Sequence, residues 1–217
     1  MDILRKSDAD LAALYNACCI ELRRRAGAAT CDDLAIIRSN EMAKRALTVA
    51  LAGNHSILFI GPPNSGKSML RAAALALPHF ADMVTLEARP CPCGHFGSPR
   101  TICNCTDAKI TKHRAGIPVA DITVETSPPT ERDLIGRPGT GSAEIIAALA
   151  KLPAHTSLEI GEECRNLLKA ACSELNIDAD GRQRILAVAR SIANLDHSPT
   201  IQPSHLCEAI NYRAFRR

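Results

Sequence analysis

Ile57-Leu58-Phe59-Ile60-Gly61-Pro62-Pro63-Asn64-Ser65-Gly66-Lys67-Ser68, followed by the helix-favouring run from Met69 to Leu77, decides the fold. The first four residues form a continuous apolar run, as expected of a parallel strand buried on both faces. Met69 to Leu77 is rich in Ala and Leu, and Pro78 closes it. Between them Gly61 and Gly66 let the chain turn tightly enough to aim backbone N–H groups into one concavity. The positive end of the following helix adds to that field. Strand, glycine loop and helix in this order suit a triphosphate, with Lys67 on the β and γ phosphates and Ser68 on Mg²⁺. Gly61, Pro62, Pro63, Asn64, Ser65, Gly66, Lys67 and Ser68 are therefore the candidate nucleotide-binding residues, and ATP is the expected ligand.

Working outward, a helix is expected from Ser39 or Asn40, carrying Met42, Ala46, Leu47 and Ala50 and stopping at Gly53-Asn54. Met83 to Leu86 and Ile122 to Thr126 read as two further strands, with a short helix over Asp107 to His113 between them. The Pro, Gly and Thr content from Ser127 to Gly141 marks a linker. Helices are expected beyond it at Ala143 to Leu152, Glu159 to Leu175 and Arg182 to Leu195, with Pro203 opening a last one. Leu11, Leu14, Cys18 and Leu22 form one apolar stripe that Gly27 ends, so an amino-terminal helix is expected too. The organisation is an N-terminal helix in 1–30, a nucleotide-binding core in 31–127, a linker in 128–141 and a C-terminal helical lid domain in 142–217. The fold class is α/β: a truncated P-loop core with a small parallel sheet, a Cys-rich zinc-type loop and a helical lid bundle.

The chain has 217 residues, 46% of them hydrophobic, enough for a real core. Its 26 basic and 23 acidic residues are too evenly balanced to argue for nucleic acid by bulk charge. Aromatic residues are 3% of the chain and Trp is absent, which weakens base-stacking readings. No run reaches the roughly 18 apolar residues of a membrane span, and Met1 to Ala9 carries no export signal, so a cytoplasmic protein is expected. In that compartment ten Cys read as thiols or metal ligands rather than disulfides. Cys91, Cys93, Cys103 and Cys105 form two C-x-C pairs nine residues apart, and four thiolates make a structural Zn²⁺ site the simplest chemistry. The pairs are tighter than the usual C-x₂-C knuckle, and His95 reads as a solvated loop histidine.

Leu34 to Leu47, the loop Gly61 to Ser68, the string Pro90-Cys91-Pro92-Cys93-Gly94 and the stretch Arg184 to Ala193 together resemble the magnesium-chelatase-like AAA+ ATPases, in the ComM branch. The resemblance covers roughly residues 32 to 213. It implies ATP and Mg²⁺ as cofactors, hexameric assembly and a link to DNA branch migration during natural transformation. Against that pattern the chain departs at several points. Only Leu77 to Pro90 fills the gap in which the family carries two strands and its acidic pair. Arg89 stands where the first sensor Asn is expected, and Gly116 to Asp121 stands where an arginine-finger motif is expected. The second sensor Arg aligns with Asp180, with Arg182 close enough to substitute as a nucleotide-binding residue. The family's amino-terminal protease-like domain is also missing.

Three functions are open at this point. The first is an ATP-binding short form with incomplete hydrolysis machinery, joining a homo-oligomer or a full-length relative. The second is an ATPase completed by Glu87, Glu125 or another subunit's carboxylate. The third is a zinc-stabilised DNA-binding or interaction module using Tyr212, Arg213, Phe215, Arg216 and Arg217. Because AAA+ sheets run in order 5-1-4-3-2, loss of the second and third strands predicts three contiguous parallel strands with Ile57–Ile60 in the middle, and the amino-terminal helix is the expected cover for the freed edge.

Overall fold

The computed structural model describes residues 33–77 and 84–213. The expected amino-terminal helix, Met83, Phe215, Arg216 and Arg217 lie outside the described residues. After a 3-10 turn at Leu34–Ile36, helix α1 (Glu41–Gly53) leads to β1 (Ile57–Ile60), which runs into α2 (Lys67–Leu75). Then come β2 (Thr85–Ala88), α3 (Asp107–Ala115) and β3 (Ile122–Glu125). The rest is helical: α4 (Glu131–Ile135), α5 (Ser142–Leu149), α6 (Glu162–Glu174), α7 (Ala179–Leu195) and α8 (Pro203–Asn211).

The three strands form one parallel sheet in the order β2-β1-β3, with Phe59 opposite Glu87 and Val124. The contiguous sheet with β1 central is as expected. Side chains alternate across it. Ile57, Phe59, Ile122 and Val124 join one large core with Leu47, Val49, Leu70, Ile185, Ile192 and Leu206. Leu58, Ile60 and Ala120 face the other way, into a thin cluster with Leu86, Ala88 and Ile117. Helix α7 packs against α1 and α8, so the carboxyl-terminal helices share the core of the sheet. No helix among the described residues is long and apolar enough to cross a membrane.

Three expectations are corrected. The second strand lies two residues later than Met83–Leu86, so it includes Glu87. Helix α2 starts at Lys67 rather than Met69, because Gly66 at φ +86° is already its cap. The stretch read as linker contains α4, opened by a reciprocal capping box in which Thr130 accepts from the Asp133 N–H and Asp133 accepts from the Thr130 N–H. That stretch is also tied down: Arg38 donates to the carbonyls of Leu134 and Gly136, and Thr140 donates to Glu41.

Candidate functional site

The glycine loop sits at the carboxyl end of β1, where parallel sheets bind ligands. Asn64 at φ +62° and Gly66 at φ +86° are both left-handed, a conformation that Asn and Gly adopt most readily. Gly61 must be glycine for a different reason. A Cβ there would run into the backbone carbonyl and hydroxyl of Thr126. The loop is fastened from three sides. Ser65 Oγ and Thr126 Oγ1 share a 2.8 Å hydrogen bond, and both residues are buried. Asn40 Nδ2 donates to the carbonyls of Ser65 and Ser127, each at 3.1 Å, while its Oδ1 accepts from the Ser127 N–H at 2.9 Å. Neither Asn40 nor Thr126 was singled out from sequence for this role. A helix-preceding Asn was the available signal for Asn40; Thr126 had none.

Lys67 Nζ folds back into the loop, donating to the carbonyls of Gly61 and Pro62 at 2.8 Å each and to Ser65 Oγ at 3.1 Å. Burial holds its ammonium below the usual lysine range; Glu87 opposes this, and Arg89 adds to the lowering. Ser68 Oγ donates to Glu87 Oε2 at 3.0 Å. Hydroxyl and carboxylate oxygens are the hard donors that Mg²⁺ prefers, so the residues present suit that ion.

Two clefts flank the loop. One, of about 420 Å³, runs between Asn64 to Met69 and a wall formed by Ile36, Ile37, Pro129 and Leu134. The other, of about 270 Å³, lies between Gly61-Pro62 and Phe96, with Glu125 among its lining residues. Arg182 is not brought to the loop. It lines a separate cleft with Leu158, Arg165 and Thr200. The start of α7 is held at the opposite end of the sheet, because Arg184 pairs with Asp121, which in turn accepts from the N–H and hydroxyl of Ser56 just before β1. Tyr212 is buried and donates to Glu208, so it offers nothing to a phosphate backbone.

The four clustered cysteines converge. Their sulfurs all lie within 4.8 Å of one another, with Cys91 3.3 Å from Cys93 and 3.7 Å from Cys103, and Cys93 3.6 Å from Cys103. A tetrahedron with Zn–S bonds of ~2.3 Å has edges of ~3.8 Å, so these separations fit one zinc ion. The His95 N–H and the Cys91 thiol lower Cys93 to about 6. Against the lowering effect of the Cys105 N–H, burial and the neighbouring thiols push Cys103 up to about 12. Gly94, left-handed at φ +84°, turns the first pair against Arg89 and Pro63, so the cysteine loop abuts the phosphate loop.

A glycine-rich loop between strand and helix on a small parallel sheet, backed by a helical carboxyl-terminal part, defines an α/β class with the P-loop arrangement. Residues 33–89 match the family of magnesium chelatase subunit ChlI, and residues 142–213 match the carboxyl-terminal part of the same subunit. The chain therefore belongs to the magnesium-chelatase-like proteins. It is also similar to competence protein ComM of Haemophilus influenzae, with 46% identity over 56 residues, 25% of this chain and 11% of that protein. The aligned stretch thus spans about a tenth of that relative's length.

Proposed function

We propose that this protein binds ATP with Mg²⁺ at Gly61 to Ser68 and that the isolated chain hydrolyses it slowly or not at all. The observation that carries the reading is the posture of Lys67. Its ammonium is held by two loop carbonyls and a hydroxyl at the carboxyl end of β1, bonds that a triphosphate would take over. The apolar wall of Ile36, Ile37, Pro129 and Leu134 gives a purine base a place beside the phosphates. A zinc ion held by Cys91, Cys93, Cys103 and Cys105 would staple the chain where it passes the phosphate loop, and the convergence of the four sulfurs supports this. Reduced thiols and a thiolate metal site suit the cytoplasm.

Slow turnover follows from what the site holds. No arginine-finger motif precedes β3, and loss of such a group costs about 10³ to 10⁵ in rate. Resemblance to a branch linked to DNA branch migration, and similarity to a protein named for competence, support a role in DNA processing. A second reading, an ATPase completed by a neighbouring subunit, is favoured by the exposure of Arg182 at the end of the sheet away from its own loop. The test is ATP turnover by the purified chain alone, then with DNA, then with a full-length relative. Slow turnover alone is expected. Full activity of the dilute chain by itself would refute the first reading, and activity rising steeply with chain concentration would favour the second.

A further inference from the structure

Only Leu77 to Pro90 fills the gap in which the resembled family carries its acidic pair, yet a carboxylate stands at the phosphate loop. The register that sets Glu87 opposite Phe59 puts it on the sheet face where α2 begins. There Glu87 Oε2 accepts the Ser68 hydroxyl at 3.0 Å, and Arg71 Nη1 lies 3.8 Å from Oε1. The bond lies at the surface: Glu87 and Ser68 are both exposed residues, although three quarters of the Glu87 side-chain surface is covered. Everything else at this point favours negative charge: the loop N–H groups, the start of α2 and Lys67. A fixed carboxylate there weakens a plain anion site and makes sense in a site built for an anion that arrives with a cation.

We propose that Glu87 positions the divalent cation of the nucleotide by acting through the Ser68 hydroxyl, so that the site takes the Mg²⁺ complex of the triphosphate and resists the free anion. This rests on the nucleotide reading above. A hydroxyl that gives its proton to Glu87 presents its lone pairs outward to a hard cation. The carboxylate adds a charge one hydrogen bond behind that ligand, close enough to hold Mg²⁺ and to repel uncompensated phosphate. Glu87 is a positioning residue. Glu125, on the other side of β1, lines the second cleft with Gly61 and Pro62 and has no part in this arrangement.

A carboxylate that merely stabilised the start of α2 would account for the same hydrogen bond, and the experiment separates the two roles. Calorimetry of the full chain with a non-hydrolysable ATP analogue is run in excess Mg²⁺ and in EDTA. Mg²⁺ is expected to strengthen binding to the unmodified protein by at least about tenfold. Glu87→Gln is expected to bind the analogue several-fold better in EDTA and to lose most of the gain from Mg²⁺. Glu87→Asp falls between the two. Ser68→Ala, which leaves Glu87 in place, must also lose the gain. An equal Mg²⁺ gain in the unmodified protein and in Glu87→Gln overturns the proposal, as does an equal gain in Ser68→Ala should the first variant not fold. Absence of binding by the unmodified protein in both buffers refutes the nucleotide reading itself, and this inference with it.

Discussion

Asn40 joins the start of α1, the phosphate loop and the segment after β3, so Asn40→Ala tests how the site is held. Besides a bond donated to the adjacent Ser39 hydroxyl at 3.0 Å, the substitution removes two long-range donated bonds at 3.1 Å and one accepted bond at 2.9 Å. The three long-range bonds are partly or fully exposed to solvent, so each contributes toward the lower end of the usual ~0.5–1.5 kcal/mol. Asn40 is also left-handed at φ +67°, which costs Ala ~1 kcal/mol more than Asn. The loss is then about 2–3 kcal/mol, a fall in Tm of roughly 4–12 °C for a protein of this size. Asn40→Gly removes the same bonds without the backbone penalty and should recover about 1 kcal/mol. Thermal unfolding checks the stability, and calorimetry with ATP checks the loop, whose freed Ser65 carbonyl should weaken binding in both variants. An Asn40→Ala protein with unchanged Tm and unchanged affinity would refute the clamp.

Three other outcomes are expected. Protein purified without chelator should carry one zinc per chain, and Cys91→Ser with Cys103→Ser should lose it; metal analysis finding no zinc and four titratable thiols would reject the site. Gly61→Ala should abolish nucleotide binding and lower stability, since its Cβ meets the Thr126 backbone; calorimetry and thermal unfolding read both. Burial lowers both His55 and His205, so their stabilising contribution is complete above the ordinary histidine range near pH ~6.5 and is lost as pH falls below it. Unfolding followed from pH 7.5 to 5.5 should therefore show declining stability, and His55→Gln, which removes the imidazole bonded to Ser191, should flatten part of that slope.

How much could be read in advance depended on whether the signal was local. The strand Ile57–Ile60 was legible to the residue because its apolar run is bounded by Ser56 and Gly61. The order of the sheet followed from the family resemblance. The second strand was placed too early because Glu87 ended the apolar run; the backbone continues as strand through it, and the carboxylate that misled the reading is the one facing Ser68. Helix α4 was hidden by the prolines and glycines around it, although Thr130 and Asp133 stood at capping-box spacing. The convergence of the cysteines was foreseeable from thiolate chemistry despite the unusual spacing. The position of Arg182 was not, because it depends on where α7 docks, which Arg184 and Asp121 determine over a separation of 63 residues.

The central claim is tested most directly by titrating ATP with Mg²⁺ into the intact chain and into Lys67→Ala by calorimetry. The account predicts saturable binding at one site per chain for the unmodified protein and none measurable for Lys67→Ala, with both proteins folded by circular dichroism. Equal affinity in the two would contradict it, and would reduce Gly61 to Ser68 to a turn between a strand and a helix.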